Sequence, residues 1–192
     1  MNEKLFLIIN SLAGKNHILD LLAISLAKGM PYFFILVEVY LYFVAKKKKE
    51  AIFAFYSVVM ALGISFLISL FYTHNRPFMD NLGIALIQHK PDTSFPSDHT
   101  TFLFAIAWSF MFFRVRFWSL FLVLAFLGGI TRVYTGVHYP FDILGGMVVG
   151  LIGAGIIYIC REKLEKLNEF IFIIENKIKI KYLKAIKWLK RI

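Results

Sequence analysis

The sequence has little from which a disulfide or a metal site could be built. Its single cysteine, Cys160, cannot form an intrachain disulfide or a thiolate metal site. Acidic residues number only 12 against 22 Lys and Arg. Four carboxylates lie near the polar clusters described below, and their spacing matches no known ligand loop: Asp80, Asp92, Asp98 and Asp142. We therefore predict no bound metal.

The excess of basic residues gives a formal net charge of +10. These residues lie mostly at the ends of apolar blocks, which is typical of membrane topology and of contact with anionic lipid. Because this placement explains the charge, we predict no nucleic-acid partner.

Apolar residues make up 59% of the 192 residues, and the mean hydropathy is +0.68. They come in long blocks separated by charged breaks, which predicts an all-α membrane helix bundle forming one domain over residues 1–192. Five blocks are long enough to span a membrane at about 1.5 Å per residue: residues 17–45, 50–72, 97–113, 118–134 and 139–160.

Two further stretches have helical spacing but are not spans. Residues 2–13 predict a short amphipathic helix at the outer interface. Residues 161–192 predict an amphipathic basic tail, which we expect on the anionic inner leaflet of the membrane. A partner-binding role for this tail stays open.

The orientation follows from the distribution of positive residues between the two ends of the spans. One side receives sixteen Lys and Arg, including residues 46–49 and the ten of the tail, and the other side receives five. The side with sixteen is expected in the cytoplasm. Three polar clusters, at residues 74–77, 95–99 and 132–142, then lie together on the extracytoplasmic side, where polar groups in a membrane protein indicate a functional site.

The third cluster contains His138 and Asp142, four residues apart, with Pro140 suited to the first turn of a helix. This spacing places the carboxylate within reach of one imidazole nitrogen, which leaves the other nitrogen free to attack. Arg132 can return to the same pocket as a phosphate ligand. A structural Arg–Asp pair at the membrane surface is the alternative.

In the second cluster, Ser97 follows a proline and is expected to cap a helix. The N–H groups of Asp98, His99 and Thr100 would then point outward and bind an anion. His99 would be placed to give a proton to a leaving oxygen. An ordinary capped helix is the alternative. The first cluster contains Arg76, and a single arginine followed by a proline does not by itself indicate a phosphate site.

Together, Arg-Pro at 76–77, Pro-Ser-x-His at 96–99 and Arg-x5-His-x3-Asp at 132–142 resemble the type 2 phosphatidic-acid phosphatase superfamily. The resemblance covers roughly residues 69–150. The segment Ser-Phe-Pro-Ser-Asp-His-Thr-Thr at 94–101 and the small size resemble the bacitracin-resistance branch, the bacterial undecaprenyl-diphosphate phosphatases.

The resemblance implies a role for each residue of the three motifs. His138 would be the nucleophile that forms a phosphohistidine, and Asp142 would orient it. His99 would be the general acid. The phosphate would be bound by Arg76, Ser97 and Arg132. The resemblance also implies that neither a metal nor another cofactor is needed.

Three positions depart from the family pattern. Ser69 stands where the family has a lysine, so a cation is missing or is replaced by Lys90 or His74. Asp98 replaces a glycine; it is expected to point away or cap locally, or else to bind a cation. Thr131 replaces a serine and keeps the hydroxyl.

The expected function is removal of the terminal phosphate from undecaprenyl diphosphate at the outer face of a bacterial plasma membrane, which recycles the lipid carrier of cell-wall synthesis. A broader lipid phosphatase, acting on phosphatidylglycerol phosphate or phosphatidate, is one alternative. A non-catalytic binder or transporter of lipid phosphates is the other.

Overall fold

The structure is a computed structural model that describes residues 1–189, and this part of the chain is helical without any strand. The predicted all-α fold is confirmed. Seven α-helices follow one another over these residues: α1 (Asn2–Asn10), α2 (His17–Phe43), α3 (Lys48–Phe71), α4 (Asp98–Phe112), α5 (Trp118–Tyr134), α6 (Pro140–Ile159) and α7 (Arg161–Leu189). Residues Met1–Tyr158 form one compact unit, here called the body, and a second unit begins at Ile159.

The five predicted spans correspond to helices α2 to α6, and every observed boundary lies within two residues of the predicted one. The start of α2 shows why such boundaries are sharp. Oδ1 of Asn16 accepts hydrogen bonds from the N–H groups of Ile18 at 3.0 Å and Leu19 at 3.2 Å, which satisfies donors that have no partner inside the helix. Helix α1 ends three residues earlier than predicted, because residues 11–14 form a turn that ends at Gly14 with φ +77°.

Three of the helices, α2, α3 and α6, are long and apolar enough to cross a membrane, and α5 is a shorter apolar helix. Helix α4 has 15 residues, nine of them buried. It is therefore enclosed by its neighbours, and its apolar character reflects protein packing on most sides. A membrane helix bundle is confirmed, while the number of spanning helices stays a prediction.

Helix α6 packs closely against α4 along its glycines. A Cβ atom added to Gly146 would lie 2.9 Å from the carbonyl oxygen of Ser97, and one added to Gly150 would lie 2.8 Å from the amide nitrogen of Ala105. Small residues allow this approach of two backbones. As a result the N–H of Ser97 donates a hydrogen bond to the carbonyl oxygen of Asp142 at 3.2 Å, so the starts of α4 and α6 meet.

The polar clusters lie where α3 and α5 end and where α4 and α6 begin. Beside them runs a segment of residues 81–93, here called the cap segment. Asn10 of α1 holds this segment: its Nδ2 donates to the carbonyl oxygens of Ile84 and Tyr134, each at 2.9 Å, and its Oδ1 accepts from the N–H of Ile84 at 2.7 Å. The cap segment is thereby fixed against the end of α5.

Helix α7 forms a unit by itself. Its start at Arg161 agrees with the predicted start of the basic tail, and residues 190–192 of that tail lie outside the described residues. Its location on the inner leaflet stays a prediction.

Candidate active site

The structure brings the first and third polar clusters into direct contact through Arg76 and His138. Arg76 is 5% exposed, and its Nη1 lies 2.9 Å from Nε2 of His138. The same nitrogen donates to the carbonyl oxygen of Val137 at 3.0 Å, while Nη2 donates to that of Thr93 at 3.2 Å. Nε forms an ion pair with Oδ1 of Asp92 at 2.7 Å. These contacts fix the plane of the guanidinium group beside the imidazole.

His138 is almost fully buried, and Asp142 lies at its other ring nitrogen. Nδ1 is 3.4 Å from Oδ2 of Asp142, so the spacing of four residues places the two side chains together as expected. Asp142 is itself held by the N–H of Tyr139, which donates to Oδ2 at 2.7 Å. A carboxylate in this position favours a proton on Nδ1, which leaves the lone pair of Nε2 available.

A third group, the hydroxyl of Ser94, joins this pair. Oγ of Ser94 donates to Oδ2 of Asp142 at 2.5 Å and lies 3.2 Å from Nδ1 of His138. Since its proton is used by the carboxylate, Oγ is left to accept from Nδ1–H. No role was predicted for Ser94, although it opens the segment 94–101 that contains the second motif, three residues before Ser97.

Burial is the main cause that lowers the pKa of His138 below its usual value. The hydrogen bond with Asp142 acts in the opposite direction, and the charges of Arg76 and Arg132 add to the lowering. The imidazole is therefore neutral near pH 7, which is the form that a nucleophile requires.

Arg132 comes from the last turn of α5 and is 3% exposed. Its Nε and Nη2 atoms are buried and have no hydrogen-bond partner among the described residues. Burying unpaired donors of a charged group is costly, so the arrangement favours a bound anion that pairs with them. The charge of Arg132 acts on His138, His99 and His89, which places the guanidinium within the same site.

Ser97 caps α4 as expected, since its Oγ accepts from the N–H of Thr100 at 3.4 Å and from the hydroxyl of Thr100 at 3.1 Å. The prediction that the N–H of Thr100 points outward was therefore wrong, because the capping oxygen takes that donor. His99 is half-buried in the first turn of α4, where the charges of Arg132 and Arg76 act on its ring. The second cluster thus faces the two arginines.

The residues named as possible participants have other partners. Oδ1 of Asp98 accepts from the hydroxyl of Ser65 at 2.6 Å, so this carboxylate points toward α3. The hydroxyl of Thr131 donates to the carbonyl oxygen of Gly128 at 2.7 Å within α5. Neither side chain contacts His138.

The side chains of the two proposed replacements for the family lysine, His74 and Lys90, form no hydrogen bond with the residues of the site described above. The ring of His74 packs between Tyr72 and Tyr139, and its Nδ1 is buried without a hydrogen-bond partner in the described part of the chain. Lys90 is exposed. At the family position itself, the hydroxyl of Ser69 donates to the carbonyl oxygen of Phe66 at 2.7 Å.

His89 of the cap segment lies beside the nucleophile and was missed by the sequence analysis. Its ring centroid is 6.2 Å from that of His138, with an angle of 71° between the ring planes. Nδ1 lies 3.1 Å from the carbonyl oxygen of Lys90 and 3.7 Å from Oδ1 of Asp92, the same oxygen that binds Arg76. No sequence motif surrounds His89, so nothing local indicated that it would reach the site.

Within residues 1–189 no group of three or more His, Cys, Asp or Glu side chains is arranged to hold a metal ion. The donors of the site are instead guanidinium, imidazole and hydroxyl groups. This set is suited to binding a phosphoryl group and transferring it to a histidine.

A neutral, buried histidine beside two arginines, at one end of an apolar helix bundle, is suited to taking a phosphoryl group from a membrane lipid. The sequence comparison agrees: residues 50–166 match the PAP2 superfamily. The chain belongs to this superfamily, which confirms the resemblance stated from the three motifs.

Individual relatives extend the match over most of the chain. Undecaprenyl-diphosphatase BcrC of Bacillus subtilis (strain 168) is 34% identical over 79% of this chain and 80% of its own length. Putative undecaprenyl-diphosphatase YbjG of Escherichia coli (strain K12) is 35% identical over 80% of this chain and 79% of its own. The crystal structure of Aquifex aeolicus LpxE superposes with a TM-score of 0.66 at 25% identity, covering 81% of this chain and 93% of that chain. The protein is a membrane lipid phosphatase.

Proposed function

We propose that this phosphatase removes the terminal phosphate from undecaprenyl diphosphate and so returns the lipid monophosphate carrier to cell-wall synthesis. One observation carries the proposal: the unpartnered Nε and Nη2 atoms of Arg132 lie in the site of a neutral His138. The names of the BcrC and YbjG relatives support the choice of substrate.

In the proposed reaction, Nε2 of His138 attacks the terminal phosphorus. The bond from phosphorus to the bridging oxygen breaks, and His99 gives that oxygen a proton as the lipid monophosphate leaves. Asp142 stabilises the positive charge that develops on the imidazole. Water then cleaves the phosphohistidine, which releases inorganic phosphate and restores Nε2.

Arg76 has to change partner during this reaction. Its Nη1 donates to Nε2 of His138, and attack needs that lone pair. The guanidinium groups of Arg76 and Arg132, together with the start of α4 at Ser97, would then bind the phosphoryl oxygens. Donors aimed at the charge that develops in the transition state lower the barrier by about 3–4 kcal/mol each in well-studied sites.

The site is proposed to face the extracytoplasmic side of a bacterial plasma membrane, with α7 in the cytoplasm against anionic lipid. The excess of positive residues at the opposite ends of the helices supports this orientation. The substrate's prenyl chain would stay in lipid while its diphosphate enters the polar end of the bundle.

The function is tested by phosphate release from the purified protein in detergent. The panel contains undecaprenyl diphosphate, a short prenyl diphosphate, phosphatidylglycerol phosphate and phosphatidate, each with and without EDTA. We expect undecaprenyl diphosphate to be hydrolysed fastest, EDTA to change nothing, and His138→Ala to release no phosphate. Faster hydrolysis of a glycerol-based lipid overturns the assignment of undecaprenyl diphosphate as substrate. Phosphate release by His138→Ala at the wild-type rate overturns the assignment of His138 as nucleophile. Binding of these lipids without any release would establish the binder or transporter.

A further inference from the structure

We infer that His89 is a phosphate-binding residue of this site, with its Nε2 directed to an oxygen of the substrate's diphosphate. The inference deepens the proposed function and rests on it. The residue belongs to the cap segment and not to any of the three motifs.

The first support is placement. The side chain of His89 is 21% exposed, and its ring lies edge-on to the ring of His138, with centroids 6.2 Å apart. A phosphoryl group attacked by Nε2 of His138 lies about 3–3.5 Å from that nitrogen, and its oxygens extend beyond the phosphorus toward the neighbouring side chains. His89 is therefore close enough to bind the group that His138 attacks.

The second support is the way in which the ring is held. Nδ1 lies 3.1 Å from the carbonyl oxygen of Lys90, and a carbonyl only accepts, so Nδ1 carries a proton and donates it there. Nε2 is then the nitrogen left for a ligand. Oδ1 of Asp92 binds Nε of Arg76 at 2.7 Å and lies 3.7 Å from Nδ1 of His89, so this carboxylate holds Arg76 beside the His89 ring.

The third support is charge. Arg76, Arg132 and Asp92 act electrostatically on His89, and His89 acts on His99 of α4. With His138 these are the charged and titratable groups that face it. Burial is the first cause that lowers the pKa of His89, the two arginines add to it, and the Lys90 carbonyl and Asp92 oppose it. Before an anion binds, His89 is therefore neutral near pH 7.

A bound phosphate reverses this balance, because its negative charge compensates the arginines and favours the imidazolium. Phosphate binding is then coupled to uptake of a proton by His89. Since the pKa is low without phosphate and higher with it, affinity rises as pH falls between these two values. A purely structural histidine would show no such linkage.

The test measures stabilisation of the purified protein by inorganic phosphate, read as the shift in Tm, which needs no turnover. We expect His89→Gln to need at least about tenfold more phosphate for the same shift, as for loss of one hydrogen bond to a charged group. The matched control is Lys90→Gln, which removes a full charge from the adjacent exposed position and should change the requirement less than about twofold. Equal requirements in wild type, His89→Gln and Lys90→Gln overturn the inference.

A second variant guards against a folding defect in His89→Gln. His89→Lys keeps a cationic donor, so phosphate affinity should stay within about threefold of wild type, while the affinity gained between pH 8 and pH 6 should be smaller than in wild type by the part due to proton uptake at His89. His89→Lys with the wild-type pH slope overturns the inference. If wild type released no phosphate from any lipid but the Tm shifts behaved as expected, the proposed function would fail and the phosphate site would stand.

Discussion

Ser94 and Asp142 are joined by a hydrogen bond of 2.5 Å between Oγ and Oδ2, and the same Oγ lies 3.2 Å from Nδ1 of His138. The direct distance from Nδ1 to Oδ2 is longer, at 3.4 Å. The carboxylate therefore orients the imidazole partly through a serine hydroxyl. Ser94 is a positioning residue, because it contacts Nδ1 of His138 and not Nε2, the nitrogen that attacks.

Removing this hydroxyl should slow the chemical step. We expect Ser94→Ala to lower kcat by about 10- to 100-fold with little change in KM, as is typical when a group supporting a reactive histidine is removed. Steady-state phosphate release at several lipid concentrations separates the two parameters. Ser109→Ala is the control, since it removes a buried hydroxyl without a partner in the described structure, far along α4. Similar kcat values in both variants would contradict the role of Ser94.

The acid limb of the pH–rate profile, where activity is lost on protonation of His138, should lie at low pH. His138 is active when unprotonated, and burial lowers its pKa, so the active form persists below the usual histidine value of about 6.5. Activity is lost only as pH falls through the lowered pKa. His99 has to be protonated when the lipid leaves, and the negative charge of the bound diphosphate offsets the charges of Arg132 and Arg76 that act on its ring. A profile of kcat/KM against pH checks this, because kcat/KM reports the groups of the free enzyme, and an acid midpoint near 6.5 would contradict the neutral, buried nucleophile.

Arg132 should contribute more to phosphate binding than an exposed arginine such as Arg114 does. Arg132→Gln is expected to reduce kcat/KM by about 100-fold or more and to weaken inhibition by vanadate, because its two buried nitrogens have no alternative partner. Arg114→Gln, at an exposed position between α4 and α5, is the matched control and should retain activity. Unchanged vanadate inhibition in Arg132→Gln would mean that this side chain does not bind the anion.

The proposed orientation can be measured in intact cells. In a Cys160→Ser background, a cysteine at the exposed position Lys90 should react with a membrane-impermeant thiol reagent before lysis. A cysteine at Lys46, in the exposed connection between α2 and α3, should react only after lysis. The reverse pattern would place the site on the cytoplasmic side.

The helices and the central pair of the site could be predicted from sequence, because both depend on local spacing. Apolar blocks bounded by charges determined α2 to α6, and His138 lies four residues before Asp142, just ahead of the start of α6. The cap of α4 at Ser97 was equally local. The direction of the Asp98 side chain within the second motif could not be predicted. It accepts a hydrogen bond from Ser65 of α3, and this contact depends on how α3 and α4 pack together.

Contacts between distant parts of the chain could not be predicted. His89 reaches His138 because the cap segment folds against the end of α5, near the start of α6. No periodic pattern in the sequence predicts this arrangement. Lys90, beside His89, was named together with His74 as a replacement for the family lysine. The structure exposes Lys90 and half-buries His89, which reverses their expected importance.

The position of Asn10 has a consequence for the order in which the protein assembles. Its hydrogen bonds reach Ile84 and Tyr134, which lie 74 and 124 residues further along the chain. Helix α1 is made before both partners, and the second of them, Tyr134, exists only when the end of α5 has been translated. The cap segment, and His89 with it, therefore reaches its final place late, since contacts between distant residues form slowly. A polypeptide that stops before Tyr134 could insert its first helices without forming a phosphate site.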